Sequence, residues 1–166
     1  MKKLVIYFSH TGENYMKDGI RNIDKGNTEI VAEKIAAKTG ADLFKVETIK
    51  DYPYDYYECC AEAKKELQEE ARPELKRYLT DLSVYDTIYI GYPIWYGTFP
   101  MALASALEKL DFSGKTVKPF ATNEGSGLAN SVNDLKRICN NAIVLDGLSI
   151  RGSDASASDN LLDNWI

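Results

Sequence analysis

Apolar positions along this chain follow two rhythms. Short runs rich in β-branched and aromatic residues are bounded by turn formers, and between them lie longer stretches with apolar residues at helical spacing. The first run, Lys3 to Phe8, stops at Ser9-His10-Thr11-Gly12, the pattern of a strand ending in a turn. A polar stretch, Glu13 to Gly26, has little periodicity and reads as a long loop. Asn27-Thr28 then offers an N-cap for a helix with Ile30, Val31, Ile35 and Ala36 on one face, closed by Gly40. Leu43 to Thr48 alternates and reads as a strand nearer a sheet edge. A tyrosine-rich loop, residues 51–57, leads into a helix from Glu58 to Arg72. Pro73 suits the first turn of a further short helix carrying Leu75 and Leu79.

The second half repeats the alternation. Tyr85 to Tyr92 is a buried-type strand ended by Gly91 and Pro93, and Pro100 opens a helix to about Leu110. Lys115 to Ala121 is the next strand, and Leu128 to Cys139 a helix with Leu128, Val132, Leu135 and Ile138 aligned. Ile143–Leu145 and Leu148–Ile150 make a last strand interrupted by Asp146-Gly147. Arg151 to Ala157 is a polar loop, and Asp159 to Ile166 a closing helix that Trp165 packs down. Strands alternating with helices predict an α/β fold: a doubly wound, five-stranded parallel sheet with helices on both faces, connected by right-handed crossovers. The length of 166 residues fits one domain, residues 1–166.

A parallel sheet collects ligands beyond the carboxyl ends of its strands. Three loops fall there. Ser9, Thr11 and Asn14, with the helix start at Asn27-Thr28, offer hydroxyls, an amide and unpaired N–H groups for an anion. Pro93-Ile94-Trp95-Tyr96-Gly97 puts two large aromatics in a loop, where they either plug their own core or cover a flat ligand. Thr122-Asn123-Glu124-Gly125-Ser126-Gly127 follows a strand with small and amide residues. Together they describe a site for a flat, phosphorylated molecule. No GxxxxGK[ST] loop occurs, and Asn130 occupies the place of the third small residue that a dinucleotide fingerprint needs. His10, the only histidine, has no partner that suggests a triad or a metal, so a turn or ligand-neighbour role is expected. Glu124 is either an acid near the ligand or the tip of an acidic loop.

Charge and cysteines narrow the classes. With 20 Lys and Arg against 25 Asp and Glu, the net charge of -5 argues against nucleic acid. No apolar run is long enough to span a bilayer, and the start does not develop into a signal peptide, so a cytoplasmic protein is expected. Cys59, Cys60 and Cys139 form neither a CxxC nor a zinc spacing and read as reduced thiols.

These motifs resemble the flavodoxin family over essentially the whole chain. Ser9-x-Thr11-Gly12 with Asn27-Thr28 is similar to its phosphate loop, split here by an insertion. Gly91-Tyr92-Pro93-Ile94-Trp95-Tyr96-Gly97 and the 122–127 loop are similar to its two isoalloxazine loops. The resemblance implies strand order 2-1-3-4-5, non-covalent FMN held by residues 9–12, 14, 27–28, 93–97 and 122–127, and electron transfer without a dedicated acid–base residue. It implies redox partner proteins or small-molecule donors and acceptors. An FMN-dependent NAD(P)H:quinone or related oxidoreductase shares the fold and is the alternative. Glu124 and Asp154, from the second flavin loop and the last loop, are the acids expected nearest the ring.

Overall fold

The computed structural model describes residues 1–166. Its sheet is built from β1 (Lys2–Tyr7), β4 (Asp42–Lys45), β5 (Tyr85–Pro93), β6 (Thr116–Asn123), β7 (Ile143–Val144) and β8 (Leu148–Arg151). The order is β4-β1-β5-β6, with β7 and β8 both alongside β6, and every pairing is parallel. This is the expected 2-1-3-4-5 arrangement, with the fifth position filled by two short segments. β7 pairs with the start of β6 and β8 with its end; Asp146-Gly147 lies between them, where a Cβ on Gly147 would meet Leu128 at 3.0 Å.

Alternation along the strands divides the core. Leu4, Ile6 and Phe8 face one side of the sheet, Val5 and Tyr7 the other. On the first side pack α3 (Met101–Leu107) and α4 (Ser131–Ile138), with Leu103, Leu107 and Leu135 fully buried, and α2 (Tyr56–Gln68) lies beside α3. On the second side pack α1 (Asn27–Thr39), a 3-10 helix (Gly152–Ala157) and α5 (Asp159–Asp163). Trp165 closes this side, its ring 5.7 Å from Tyr89 and 6.3 Å from Phe120, with the Lys118 ammonium 4.9 Å from its centroid.

Four local expectations need correction. Residues 13–26 are not a loop throughout: β2 (Gly12–Met16) and β3 (Gly19–Ile23) form an antiparallel hairpin off the main sheet. No helix follows Pro73. There Thr48 bridges Leu75, with Ile49 N–H donating to Glu74 O at 2.9 Å and Lys76 N–H to Glu47 O at 2.8 Å. The buried Leu75 anchors this extended strip, so packing overrides the helical reading. Residues 152–157 coil into the 3-10 helix rather than a loop. Neither Asn27 nor Thr28 caps α1: the cap is Gly26, which has no side chain, and the hydroxyl of Ser9 supplies the missing acceptor by taking the Glu29 N–H at 3.1 Å.

Candidate functional site

A cavity of about 400 Å³ opens at the carboxyl edge of the sheet, and its wall has two chemically distinct ends.

At the polar end stand Asn27, Thr28, Thr122, Asn123, Glu124, Ser126 and Gly152. They come from the start of α1, the end of β6 and the turn after β8. The hydroxyls of Thr28 and Thr122 share a buried hydrogen bond of 2.8 Å, which ties the helix start to the strand end. Glu29 N–H is satisfied by Ser9 and Ile30 N–H by Gly26 O. The N–H groups of Asn27 and Thr28 have no protein acceptor, so two helix-start donors remain for an anion. Gly26 permits this construction: a Cβ there would sit 1.9 Å from Ser9 Oγ and 2.9 Å from His10 O. The 123–127 loop is shaped by Asn123, whose Oδ1 accepts from Gly125 N–H and Gly127 N–H, both at 3.0 Å. Glu124 is held by Ser153. Its Oε1 accepts from Ser153 N–H at 2.8 Å and from Ser153 O–H at 2.7 Å.

The other end is aromatic. Trp95 makes edge-on contacts with Tyr52 at 5.1 Å, Phe8 at 5.2 Å and His10 at 5.9 Å. His10 Nε2–H donates to Pro53 O at 3.2 Å, and Nδ1 accepts from Asn14 Nδ2 at 3.3 Å. Burial holds this imidazole below its usual range, so it is neutral at pH 7. Residues 95–98 form a tight turn with mutual backbone bonds, and Tyr96 and Gly97 both have positive φ, 53° and 83°. A bulky residue seldom adopts that backbone, yet here it turns Tyr96 outward, 52% exposed, at the cavity rim.

Twelve expected residues line the cavity: His10, Asn14, Asn27, Thr28, Pro93, Ile94, Trp95, Tyr96, Thr122, Asn123, Glu124 and Ser126. Seven do not. Ser9 is spent capping α1, and Gly12 packs against Tyr54 at the hairpin base. Thr11 is exposed on the turn between β1 and β2. Gly97, Gly125 and Gly127 shape turns rather than wall. Asp154 faces solvent, because the 3-10 helix directs Gly152 and Ser153 inward and the next residue out. Glu124 stands near the α1 start: a Cβ on Gly152 would fall 3.2 Å from Glu124 Oε1 and 2.5 Å from Asn27 Nδ2.

The sequence reading missed a third wall. Glu13 and Tyr15 on β2, with Tyr56, Cys59, Cys60 and Ala63 on α2, complete the aromatic end. The rings of Tyr15 and Tyr56 lie 6.1 Å apart, and Cys60 lies beside the hydroxyls of Tyr56 and Tyr96. Burial pushes the Cys59 thiol up to about 12, which keeps it protonated. The hairpin that carries Tyr15 is anchored by Glu13 N–H to Tyr54 O at 3.0 Å and Lys17 N–H to Ser153 Oγ at 2.9 Å. Asp18-Gly19 was a usable hairpin signal, masked by the absence of alternation on either side.

The family described as Flavodoxin matches residues 2–166. The chain belongs to the flavodoxin family. Among solved structures it is similar to a protein of Bacteroides eggerthii assigned to the flavoproteins, at 30% identity and a TM-score of 0.76, over 99% of this chain and 97% of that one. A second, from Bacteroides uniformis and assigned likewise, aligns at 28% identity and a TM-score of 0.77, over 98% of this chain and 97% of that one. A flavoprotein of Lactobacillus acidophilus, solved in complex with FMN, shares the fold at 22% identity and a TM-score of 0.68, over 99% of this chain and 97% of that one. No curated protein matches the chain. In this flavodoxin-family chain no helix is long and apolar enough to cross a membrane.

The cavity fits the phosphorylated flavin that the family name implies. Its polar end offers free helix-start amides, its aromatic end offers rings, and one buried carboxylate oxygen of its lining, Glu124 Oε2, has no hydrogen-bond partner.

Proposed function

We propose that this chain is a single domain that binds FMN without a covalent bond and transfers electrons through it to redox partners. The observation that carries the reading is the two-ended cavity at the carboxyl edge of the parallel sheet. FMN bound there supplies one- or two-electron chemistry. Asn27 and Thr28 hold the phosphate through uncapped N–H groups, helped by the Asn27 side-chain amide, whose only hydrogen bond in the protein is to Met16 Sδ at 3.4 Å. Ile94, Trp95 and Tyr96 cover the ring. His10 adds no positive charge to that end, since its two nitrogens are engaged and its ring is neutral.

The purified protein is expected to carry a flavin spectrum and to release FMN on denaturation. In titrations FMN binds at least about tenfold tighter than riboflavin. Asn27→Ala erases most of that difference by removing one charge-assisted hydrogen bond, worth about 1.5–3 kcal/mol, and leaves riboflavin unchanged. Equal affinities for FMN and riboflavin in the wild type would overturn the phosphate assignment.

The tyrosine wall raised by the hairpin and α2 favours a second reading, an FMN-dependent oxidoreductase acting on small planar molecules. A ring end walled by tyrosines suits a small planar acceptor. Steady-state oxidation of NADH or NADPH by a quinone, with FMN-loaded protein, separates the two: turnover favours the oxidoreductase, and its absence the carrier.

A further inference from the structure

Trp95 lines the ring end of the cavity, and no hydrogen bond within the protein holds its indole. Its pose is set by the three rings that meet it edge-on, Phe8, His10 and Tyr52. Two of these are fixed without reference to Trp95. Phe8 is buried just after β1, where its N–H donates to Gly91 O at 3.0 Å. His10 is engaged through both ring nitrogens, by Pro53 O and by the Asn14 amide. Tyr52 has no such support. It lies in the irregular stretch between β4 and α2, and neither its N–H nor its C=O takes part in a backbone hydrogen bond.

Nor is Tyr52 wedged on every side. It lines no part of the ligand cavity but walls a second one, about 460 Å³, together with Glu66, Lys50 and Arg72. A ring beside open space keeps its place only if its polar end is tied. The tie is the Tyr52 hydroxyl, which donates to Glu66 Oε1 at 2.6 Å, the length of a hydroxyl on a carboxylate. Burial, then the Glu66 carboxylate, push the phenol well above its usual range, so it stays protonated and remains a donor. Glu66 stands near the end of α2, and its carboxylate makes no ion pair and no other hydrogen bond. Arg72, the cation in the same wall, is committed to Glu108 at 2.8 Å.

We propose that Tyr52, tied by Glu66, is a positioning residue for the ring end: it sets the pose in which Trp95 meets the flavin, although neither Tyr52 nor Glu66 lines the ligand cavity. This rests on the FMN reading given above. The helix α2 thereby acts on the ring end twice. Its first turns wall the cavity directly through Tyr56, Cys59 and Cys60, and its last turn reaches the same end through Glu66, Tyr52 and Trp95 in sequence.

The test uses the full chain labelled with nitrogen-15. The protein has two tryptophans, and Trp95→Phe assigns their indole N–H resonances. Tyr52→Phe keeps the ring and removes the tie. In that variant the Trp95 resonance is expected to shift and broaden, while that of Trp165, packed on the other face of the sheet, stays in place. Lumiflavin, which is the ring alone, riboflavin and FMN are expected to lose affinity by a common factor of about threefold or more, because the change is confined to the ring end. Glu66→Ala reproduces both effects. Glu66→Gln keeps a carbonyl acceptor and restores most of each, and Tyr52→Phe combined with Glu66→Ala is no worse than either alone. A Trp95 resonance and flavin affinities that stay at wild-type values in Tyr52→Phe would overturn the proposal. So would a joint shift of both tryptophans, the mark of a general loosening, or a loss confined to FMN, the mark of the phosphate end. Each of these outcomes leaves the FMN reading intact. Wild-type protein that binds none of the three flavins would overturn the FMN reading and this inference with it.

Discussion

The two ends of the cavity are built by different means. The polar end is a lattice of short hydrogen bonds between elements far apart in the chain: Thr28 with Thr122, Ser9 with the Glu29 amide, and Glu124 with Ser153. Directional bonds fix such groups to within a few tenths of an ångström, which suits a charged group that needs several donors at once. The aromatic end is held by packing. Trp95 is wedged among Tyr52, Phe8 and His10, and its outer members, Tyr15 and Tyr96, are more than half exposed. Ring contacts tolerate small displacements and different partners. The contrast assigns affinity for the phosphorylated chain to the first end and adaptable contact with a flat surface to the second.

The largest expected effect breaks the polar end outright. Gly26→Ala forces a Cβ into the Ser9 hydroxyl and the His10 backbone, costing the cap of α1 together with strain, about 3 kcal/mol in all. Urea unfolding checks the stability and a flavin titration the site; a change below about 0.5 kcal/mol would mean that the helix start is not rigidly built.

A middle-sized effect separates the two aromatics. Trp95→Ala empties a packed but only half-buried position and lowers stability by about 2 kcal/mol. Tyr96→Ala removes a ring with no core contacts, so stability changes by less than about 0.5 kcal/mol, while flavin affinity falls by the roughly 0.5–1.5 kcal/mol of an aromatic contact. If both variants lose stability and neither loses affinity, the aromatic end is a plug for its own core.

The smallest effect concerns pH. His10 is held below its usual value of 6.5 by burial, so the unfolded chain binds a proton more readily than the folded one. Stability falls as pH drops from 6.5 toward the depressed folded value, by at most about 1.4 kcal/mol per pH unit for this one group. Comparing wild type with His10→Asn between pH 7.5 and 5.5 isolates it, and parallel profiles would remove His10 from the account.

Much of this was readable along the chain, because period and punctuation report which face of an element is buried. Leu4, Ile6 and Phe8 against Val5 and Tyr7 already describe a strand covered on both sides. The runs ending at Gly12, Gly97 and Gly127 point to three turns at one sheet edge. The hairpin was missed because β2 and β3 lie outside the main sheet and face no core, so neither shows the alternation that burial imposes. The short helix after Pro73 was misread because one buried leucine in a paired extended strip carries the same apolar signal as a helical turn.

From the sequence alone came the α/β class, the parallel strand order, the three loops at the carboxyl edge and the family likeness. The strand order came only through that likeness; the others rest on local hydrophobic period, on turn residues or on short motifs. The tertiary structure decided which loop residues turn inward. Ser9 leaves the wall to cap a helix twenty residues away, and Tyr56, Cys59 and Cys60 enter it from α2. It also decided that Glu124 is clamped by Ser153, twenty-nine residues further on, with one oxygen left over. Such pairings follow from where crossovers return the chain, and no local pattern encodes the distance between two strand ends until the sheet has closed.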